Sequence, residues 1–116
     1  MPRNDRRTGK RSGPSAARIE ALIAEALLDT IDDSDQRTAF YTILGDSLAL
    51  PFTTQVLGVE VIVEHLDLTV DEQIVAVCRH GRTRQRIPIL DLPLPDPLPQ
   101  GAEWIDAYRR WSDGAM

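Results

Sequence analysis

The spacing of hydrophobic residues changes twice along this chain, from a helical repeat to an alternating one and back. The first repeat covers residues 16–31, where apolar side chains recur three and four positions apart, as on the buried face of an α-helix. These side chains belong to Ile19, Leu22, Ile23, Ala26 and Leu27. Ser15, a residue type that accepts a hydrogen bond from the first helical turn, precedes the repeat. The pattern therefore predicts a first helix that begins after Ser15.

A second helix is predicted over about residues 36–47. Its inward-facing side chains are Phe40, Ile43 and Leu44. Either Ser34 or Asp35 can cap its N-terminus. Pro51 ends this helical part of the chain, because the residue before a proline avoids the α conformation.

After Pro51 the apolar residues alternate, which is typical of β-strands. Four short strands are predicted, over residues 54–57, 59–64, 73–79 and 83–89. A turn through Asp67–Glu72 separates the second strand from the third, and His80-Gly81-Arg82 forms a tight turn before the fourth. Short links favour antiparallel neighbours, so we expect a small curled antiparallel sheet or barrel.

The C-terminal part begins with a proline-rich connector that contains Pro88, Pro93, Pro95, Pro97 and Pro99. We expect it to be extended, without a helix or an internal strand. The helical repeat then returns over residues 102–112, where Trp104, Tyr108 and Trp111 share one face. The predicted class is α+β, with N-terminal helices, a four-stranded sheet and a C-terminal helix. We expect a single domain over residues 15–112, followed by a short tail, 113–116.

Residues 1–14 differ from the rest in composition. They are polar and basic, are interrupted by glycine and proline, and contain no periodic apolar face. Such a segment cannot bury enough apolar surface to offset the entropy of ordering, so we expect a disordered tail. A solubilising role is favoured over a tether for nucleic acid or lipid.

Charge is divided unequally along the chain. The first 18 residues carry six bases against Asp5, whereas the remaining 98 carry seven bases and seventeen acids. Between Glu20 and Glu72, twelve acids face a single base, Arg37. A surface this negative attracts cations or a basic partner, or simply keeps the protein in solution. It also repels DNA, so a nucleic-acid partner is not expected.

Several classes of function lack the residues they need. The single cysteine, Cys78, permits neither an internal disulfide nor a thiolate zinc site within one chain, and fits a reducing, cytoplasmic location. His65 and His80 are too isolated in sequence for a zinc motif. No catalytic triad or pair of carboxylates is recognisable. No apolar run is long enough to cross a membrane. We therefore expect a non-enzymatic protein with no catalytic residues and no membrane partner.

The acidic residues form two candidate groups for calcium, which takes six to eight oxygen ligands in flexible geometry. One group is the link between the two helices, with Asp29, Asp32, Asp33 and Asp35. The other is the turn between the second and third strands, with Glu64, Asp67, Asp71 and Glu72. The link is not an EF-hand, because Thr38 and Leu44 occupy the positions of the required glycine and bidentate glutamate. On composition alone, a solvated acidic face without ligand geometry is favoured.

A basic hairpin follows the third strand, from Arg79 to Arg86. Alternation places Arg82, Arg84 and Arg86 on one face. These side chains could contact phosphate or pair with the acidic body, and pairing is the favoured interpretation.

A series of short segments occurs in an order shared with a known family. The first is Leu44-Gly45-Asp46-Ser47-Leu48-Ala49-Leu50-Pro51-Phe52. The later ones are Gly58-Val59-Glu60-Val61, Ile74-Val75-Ala76-Val77 with Gly81, Ile87-Pro88-Ile89-Leu90-Asp91-Leu92, and the helix with Trp104 and Trp111. Over about residues 36–112 the chain resembles the small bacterial, cyanobacterial-type family of calcium-binding proteins without an EF-hand.

The resemblance implies calcium binding by acidic side chains, and it points to Asp46 as the acid before Leu50-Pro51-Phe52. The turn acids are candidates on the residue pattern alone. The expected metal ligands are therefore Asp46, Glu64, Asp67, Asp71 and Glu72. The favoured function is calcium binding or buffering, and the alternative is an interaction module that docks a basic partner on its acidic face.

Overall fold

The computed structural model describes residues 14–114, so most of the predicted basic tail lies outside the described residues. Three α-helices pack on a four-stranded antiparallel sheet whose strands are hydrogen-bonded in chain order. The elements are α1 (Ala16–Leu27), α2 (Asp33–Ser47), β1 (Phe52–Val56), β2 (Val59–Leu68), β3 (Ile74–His80), β4 (Thr83–Pro88), a 3-10 helix (Ile89–Asp91) and α3 (Glu103–Gly114). The predicted α+β class is confirmed, and the sheet is open rather than a closed barrel.

The first helix begins as predicted and ends early. The Ser15 side chain accepts a hydrogen bond from the backbone N–H of Arg18. The helix ends at Leu27 because Asp29 adopts a left-handed conformation, with φ at 66°. The backbone N–H and the hydroxyl of Thr30 then both donate to the Leu27 carbonyl. The expectation of a helix to residue 31 was therefore wrong over the last turn.

The second helix begins before the predicted position. Asp32 is its N-cap, and its carboxylate accepts a hydrogen bond from the backbone N–H of Asp35 at 2.9 Å. The Asp35 carboxylate accepts in turn from the N–H of Ile31 at 3.3 Å. Capping by Ser34 or Asp35 was thus a wrong prediction. Two acids that were candidate calcium ligands instead satisfy the exposed N–H groups at a helix start.

The hydrophobic core lies between one face of the sheet and the three helices. Its largest fully buried members are Phe40, Leu22, Leu44, Ile74, Ile89, Ile105 and Val63. Val61, Ile74, Val77 and Trp104 are also buried, whereas Phe52 and Trp111 are only half-buried.

An aromatic cluster joins α2 to α3. The ring of Phe40 lies 5.4 Å, centroid to centroid, from both Tyr108 and Trp111. Offset aromatic pairs at this distance contribute about 0.5–1.5 kcal/mol each beyond their buried area. This contact docks the C-terminal helix, as its aromatic spacing predicts.

A β-bulge in β2 reorganises the middle of the sheet. Val63 lies opposite Cys78 and His65 lies opposite Val77, so Glu64 is an additional residue on this strand. The bulge shifts the alternation by one position, which lets Leu66 face the core as Val63 does. The strand consequently continues to Leu68, four residues beyond the predicted end.

The β2–β3 turn is shorter than expected and is stabilised by Thr69. The N–H of Thr69 donates to the carbonyl of Gln73 at 2.9 Å, and the Thr69 carbonyl accepts from the N–H of Glu72 at 2.8 Å. Asp67, which was predicted to begin this turn, lies in β2.

The connector after β4 is not free of helix, because the residues from Ile89 to Asp91 form one 3-10 turn. Further along, the Pro93 carbonyl accepts a hydrogen bond from the Thr54 hydroxyl at 2.8 Å, so the connector lies beside β1. Within residues 14–114, no helix is long and apolar enough to cross a bilayer.

Candidate functional site

Glu64 forms the most strongly paired acidic group on the sheet. Its two carboxylate oxygens accept hydrogen bonds from the Nε atoms of Arg79, at 2.7 Å, and of Arg84, at 3.0 Å. These two hydrogen bonds lower the pKa of the Glu64 carboxyl below its ordinary value. The bulge directs the Glu64 side chain to the face of the sheet that is opposite the helices. Both arginine side chains lie on that same face. This predicted ligand therefore already has two cationic partners.

Asp67 has the same kind of partner farther along β2. Its carboxylate lies 3.2 Å from Nη2 of Arg86 and also accepts a hydrogen bond from the N–H of Leu68 at 2.9 Å. Asp67 pairs with Val75 in the sheet and Arg86 pairs with Val77, so the ion pair connects β2 to β4 across β3. The predicted pairing of the basic hairpin with the acidic body is confirmed.

The two acids of the turn lie apart from these ion pairs. Oε2 of Glu72 accepts a hydrogen bond from the hydroxyl of Ser34 at 2.6 Å, and its Oε1 lies 3.6 Å from Nη1 of Arg37. The Arg37 guanidinium also lies over the ring of Trp111, 5.6 Å from its centroid. Asp71 is exposed beside Glu72 and lines an open cleft together with Arg37.

The fifth predicted ligand lies in a different place. Asp46 is exposed in the last turn of α2 and lines a shallow cleft with Tyr41 and His65. The structure thus distributes the five predicted ligands over the outer sheet face, the β2–β3 turn and the end of α2. Among residues 14–114, no three His, Cys, Asp or Glu side chains form a group that could hold a metal ion.

The hydrogen bond between Ser34 and Glu72 joins the two acidic groups that the sequence presents separately. We call residues 28–35 together with residues 69–73 the acidic end. It contains six carboxylates, those of Asp29, Asp32, Asp33, Asp35, Asp71 and Glu72. The neighbouring base is Arg37, at 3.6 Å from Glu72.

Exposed apolar side chains accompany these acids. Ile31 is 87% exposed and Val70 is 99% exposed, and each lies within three residues of the Ser34–Glu72 bond. Neither residue is marked by the hydrophobic pattern as a surface residue, although their neighbours in sequence are a signal. Both are β-branched residues beside acidic residues; Ile31 continues the helical repeat of α1 beyond its end, and Val70 lies in the turn after β2.

Comparison with known proteins found no matching protein family, no matching curated protein and no matching solved structure. The resemblance to the calcium-binding family stays a prediction based on the segment order described above.

Proposed function

We propose that the protein is a non-enzymatic interaction module whose acidic end docks a segment that is both basic and apolar on another protein. The proposal is supported by the bond of 2.6 Å between Ser34 and Glu72, which joins two acidic loops. Each loop also carries an exposed β-branched residue, Ile31 in one and Val70 in the other. Complementary charge accelerates association and selects the partner, while burial of apolar side chains provides affinity.

The ordinary explanation of an acidic surface is solubility, and it accounts for the carboxylates alone. It gives no role to Ile31 and Val70, whose side chains are 87% and 99% exposed and do not contribute to the core. Docking accounts for both features, since a basic and apolar segment would cover the side chains and neutralise the acids. Binding would reduce the repulsion among the carboxylates and would also remove the apolar side chains from water.

The test is a titration of the protein with a synthetic peptide in which lysine and leucine alternate, followed by calorimetry. Replacing Ile31 and Val70 together by serine should weaken binding about tenfold, because two apolar contacts are lost. The matched control is Leu57→Ser, which removes an equally exposed leucine outside the acidic end. Equal affinity of all three proteins would contradict the proposal.

A second experiment separates the charges from the apolar contacts. Asp33→Asn with Asp71→Asn removes two acids of the acidic end without removing the α2 cap, and should reduce the association rate and its dependence on salt. The same exchange at two exposed acids elsewhere, Asp96 and Asp113, changes net charge equally and should leave the rate nearly unchanged.

Calcium binding is the second candidate, and the same hydrogen bond favours it. It joins the loop of the interhelix acids to the turn of Asp71 and Glu72. Their carboxylates form no metal-binding group in this conformation, so a divalent ion would have to draw them together and would then relieve their repulsion. Because Glu64 and Asp67 contact arginines, the acidic end is the better place to expect the ion. Calcium titration of the double variant Asp71→Asn, Glu72→Gln tests this. Heat of binding unchanged from the parent would exclude the turn as the site.

A further inference from the structure

The strand β4 has a free edge whose backbone groups can be assigned. It lies at the end of the strand order and pairs only with β3. The connecting turn contains two residues, Gly81 with φ at 60° and Arg82, so His80 and Thr83 form the pair that closes the hairpin. His80 and Thr83 exchange both of their backbone hydrogen bonds with each other. Along β4, residues that bond to β3 then alternate with residues whose backbone groups point away from it.

The alternation points the N–H and C=O groups of Arg84 and Arg86 away from β3, toward the free edge. Pro88 occupies the next position whose backbone faces outward. Its lack of an N–H does not disturb the pairing with β3, and the edge that is available for hydrogen bonding ends there. The free edge therefore offers two outward-pointing peptide groups, and both belong to arginines.

The charge of this edge is opposite to that of the molecule as a whole. Residues 14–114 contain seventeen acids and eight bases. Four of the eight bases lie between Arg79 and Arg86. The side chains of Arg84 and Arg86 are 61% and 65% exposed. Both guanidinium groups are therefore open to solvent beside their ion pairs with Glu64 and Asp67, and their remaining N–H donors can bind a further acceptor.

A second copy of β4 does not suit this edge. Antiparallel pairing of two such strands would place arginines of one copy beside those of the other, and like charges on neighbouring strands are destabilising. The charge selects an acidic partner instead.

We propose that the free edge of β4 binds an extended acidic segment of another protein by strand addition. The backbone of the segment would pair with the outward peptide groups of Arg84 and Arg86. Its acids would occupy every second position, because alternate residues of a strand share one face. On that face they would compete with Glu64 and Asp67 for the two guanidinium groups, which are largely exposed to solvent. Arg84 and Arg86 do not belong to the acidic end, although Pro88, where the free edge stops, lines the same cleft as Asp71 and Glu72. The edge would recognise a partner of opposite charge.

The probe is a synthetic peptide in which aspartate and threonine alternate, added to the full chain. Binding should slow hydrogen exchange of the Arg84 and Arg86 amides about tenfold or more, because both enter new hydrogen bonds. Arg84→Gln with Arg86→Gln should weaken binding about tenfold. Arg109→Gln with Arg110→Gln is the matched control, since it removes two exposed arginines of α3, and it should bind as the parent does.

A peptide that is N-methylated at alternate residues tests the backbone pairing on the unaltered protein. It keeps every charge and loses the amide donors, so strand addition predicts loss of its binding. Equal binding of the methylated peptide would overturn the proposal in favour of simple charge attraction. Tighter binding of an oligothymidylate through the same arginines would overturn it in favour of a phosphate backbone. Self-association of the chain at this edge, seen by sedimentation, would also contradict it.

Discussion

Ser34 of α2 donates a hydrogen bond of 2.6 Å to Glu72 of the β2–β3 turn, across 38 positions of sequence. Ser34 is the second residue of the helix, two positions after the Asp32 cap. Glu72 has a left-handed backbone, with φ at 65°. The bond therefore joins the start of a helix to a turn of the sheet, and it unites two acidic loops in one surface.

The ion pairs of Glu64 predict a specific dependence of stability on pH. Arg79 and Arg84 lower the pKa of this carboxyl below 4.5. A lowered pKa in the folded state stabilises the fold above the unfolded pKa, and that contribution is lost as pH falls through the folded pKa. Glu64→Gln should lower the free energy of unfolding by a constant amount above about pH 5.5, and the difference should vanish in stronger acid. Urea unfolding at several pH values measures this, and a difference that grows in acid would contradict it.

Leu57 predicts a stabilising substitution. It lies at the tip of the β1–β2 hairpin with φ at 53°, followed by Gly58 at 80°, and its side chain is 98% exposed. The leucine side chain buries no surface there, and its backbone is strained by the positive φ. Asparagine tolerates this conformation and is common in such turns. Leu57→Asn should raise the free energy of unfolding by about 1 kcal/mol. Val70→Asn, at an equally exposed position without a positive φ, should change it little; equal effects at both sites would refute the explanation.

Gly101 predicts a strongly destabilising substitution. Its φ is 90°, and a Cβ atom added there would overlap the backbone of Ser47 at the end of α2. Gly101→Ala should therefore cost about 3 kcal/mol, from strain and overpacking together. Gly58→Ala is the control, because φ is 80° there and the space around it is open. It should cost only the strain, about 1 kcal/mol. Thermal or urea unfolding of the two variants should separate them clearly.

The elements with a strong repeat were predictable from sequence, and the irregular ones were not. Phe40 and Trp104 occupy helical repeats that match the buried faces of α2 and α3. The end of α1 was missed because Leu28 and Ile31 continue an apolar pattern after the left-handed Asp29 has ended the helix.

The candidate site was harder to predict because of one additional residue. Val61 and Val63 alternate, and the pattern then resumes out of phase at Leu66, which is the sequence signature of the bulge. Taking Glu64 as the end of the strand placed it in a turn with Glu72, whereas the strand continues for four more residues. At about 3.3 Å per residue, this separates the two carboxylates along the strand. Contacts such as that of Ser34 with Glu72 depend on tertiary packing and have no local signal.

The most direct test of docking at the acidic end is to map backbone amide shifts while the lysine–leucine peptide is titrated into the isotopically labelled protein. The account predicts that the largest shift changes fall within residues 28–35 and 69–73 and include Ile31 and Val70. It also predicts that both loops respond with one common affinity, because the Ser34–Glu72 bond makes them one surface. Changes confined to other surfaces, or two loops that respond with different affinities, would contradict it.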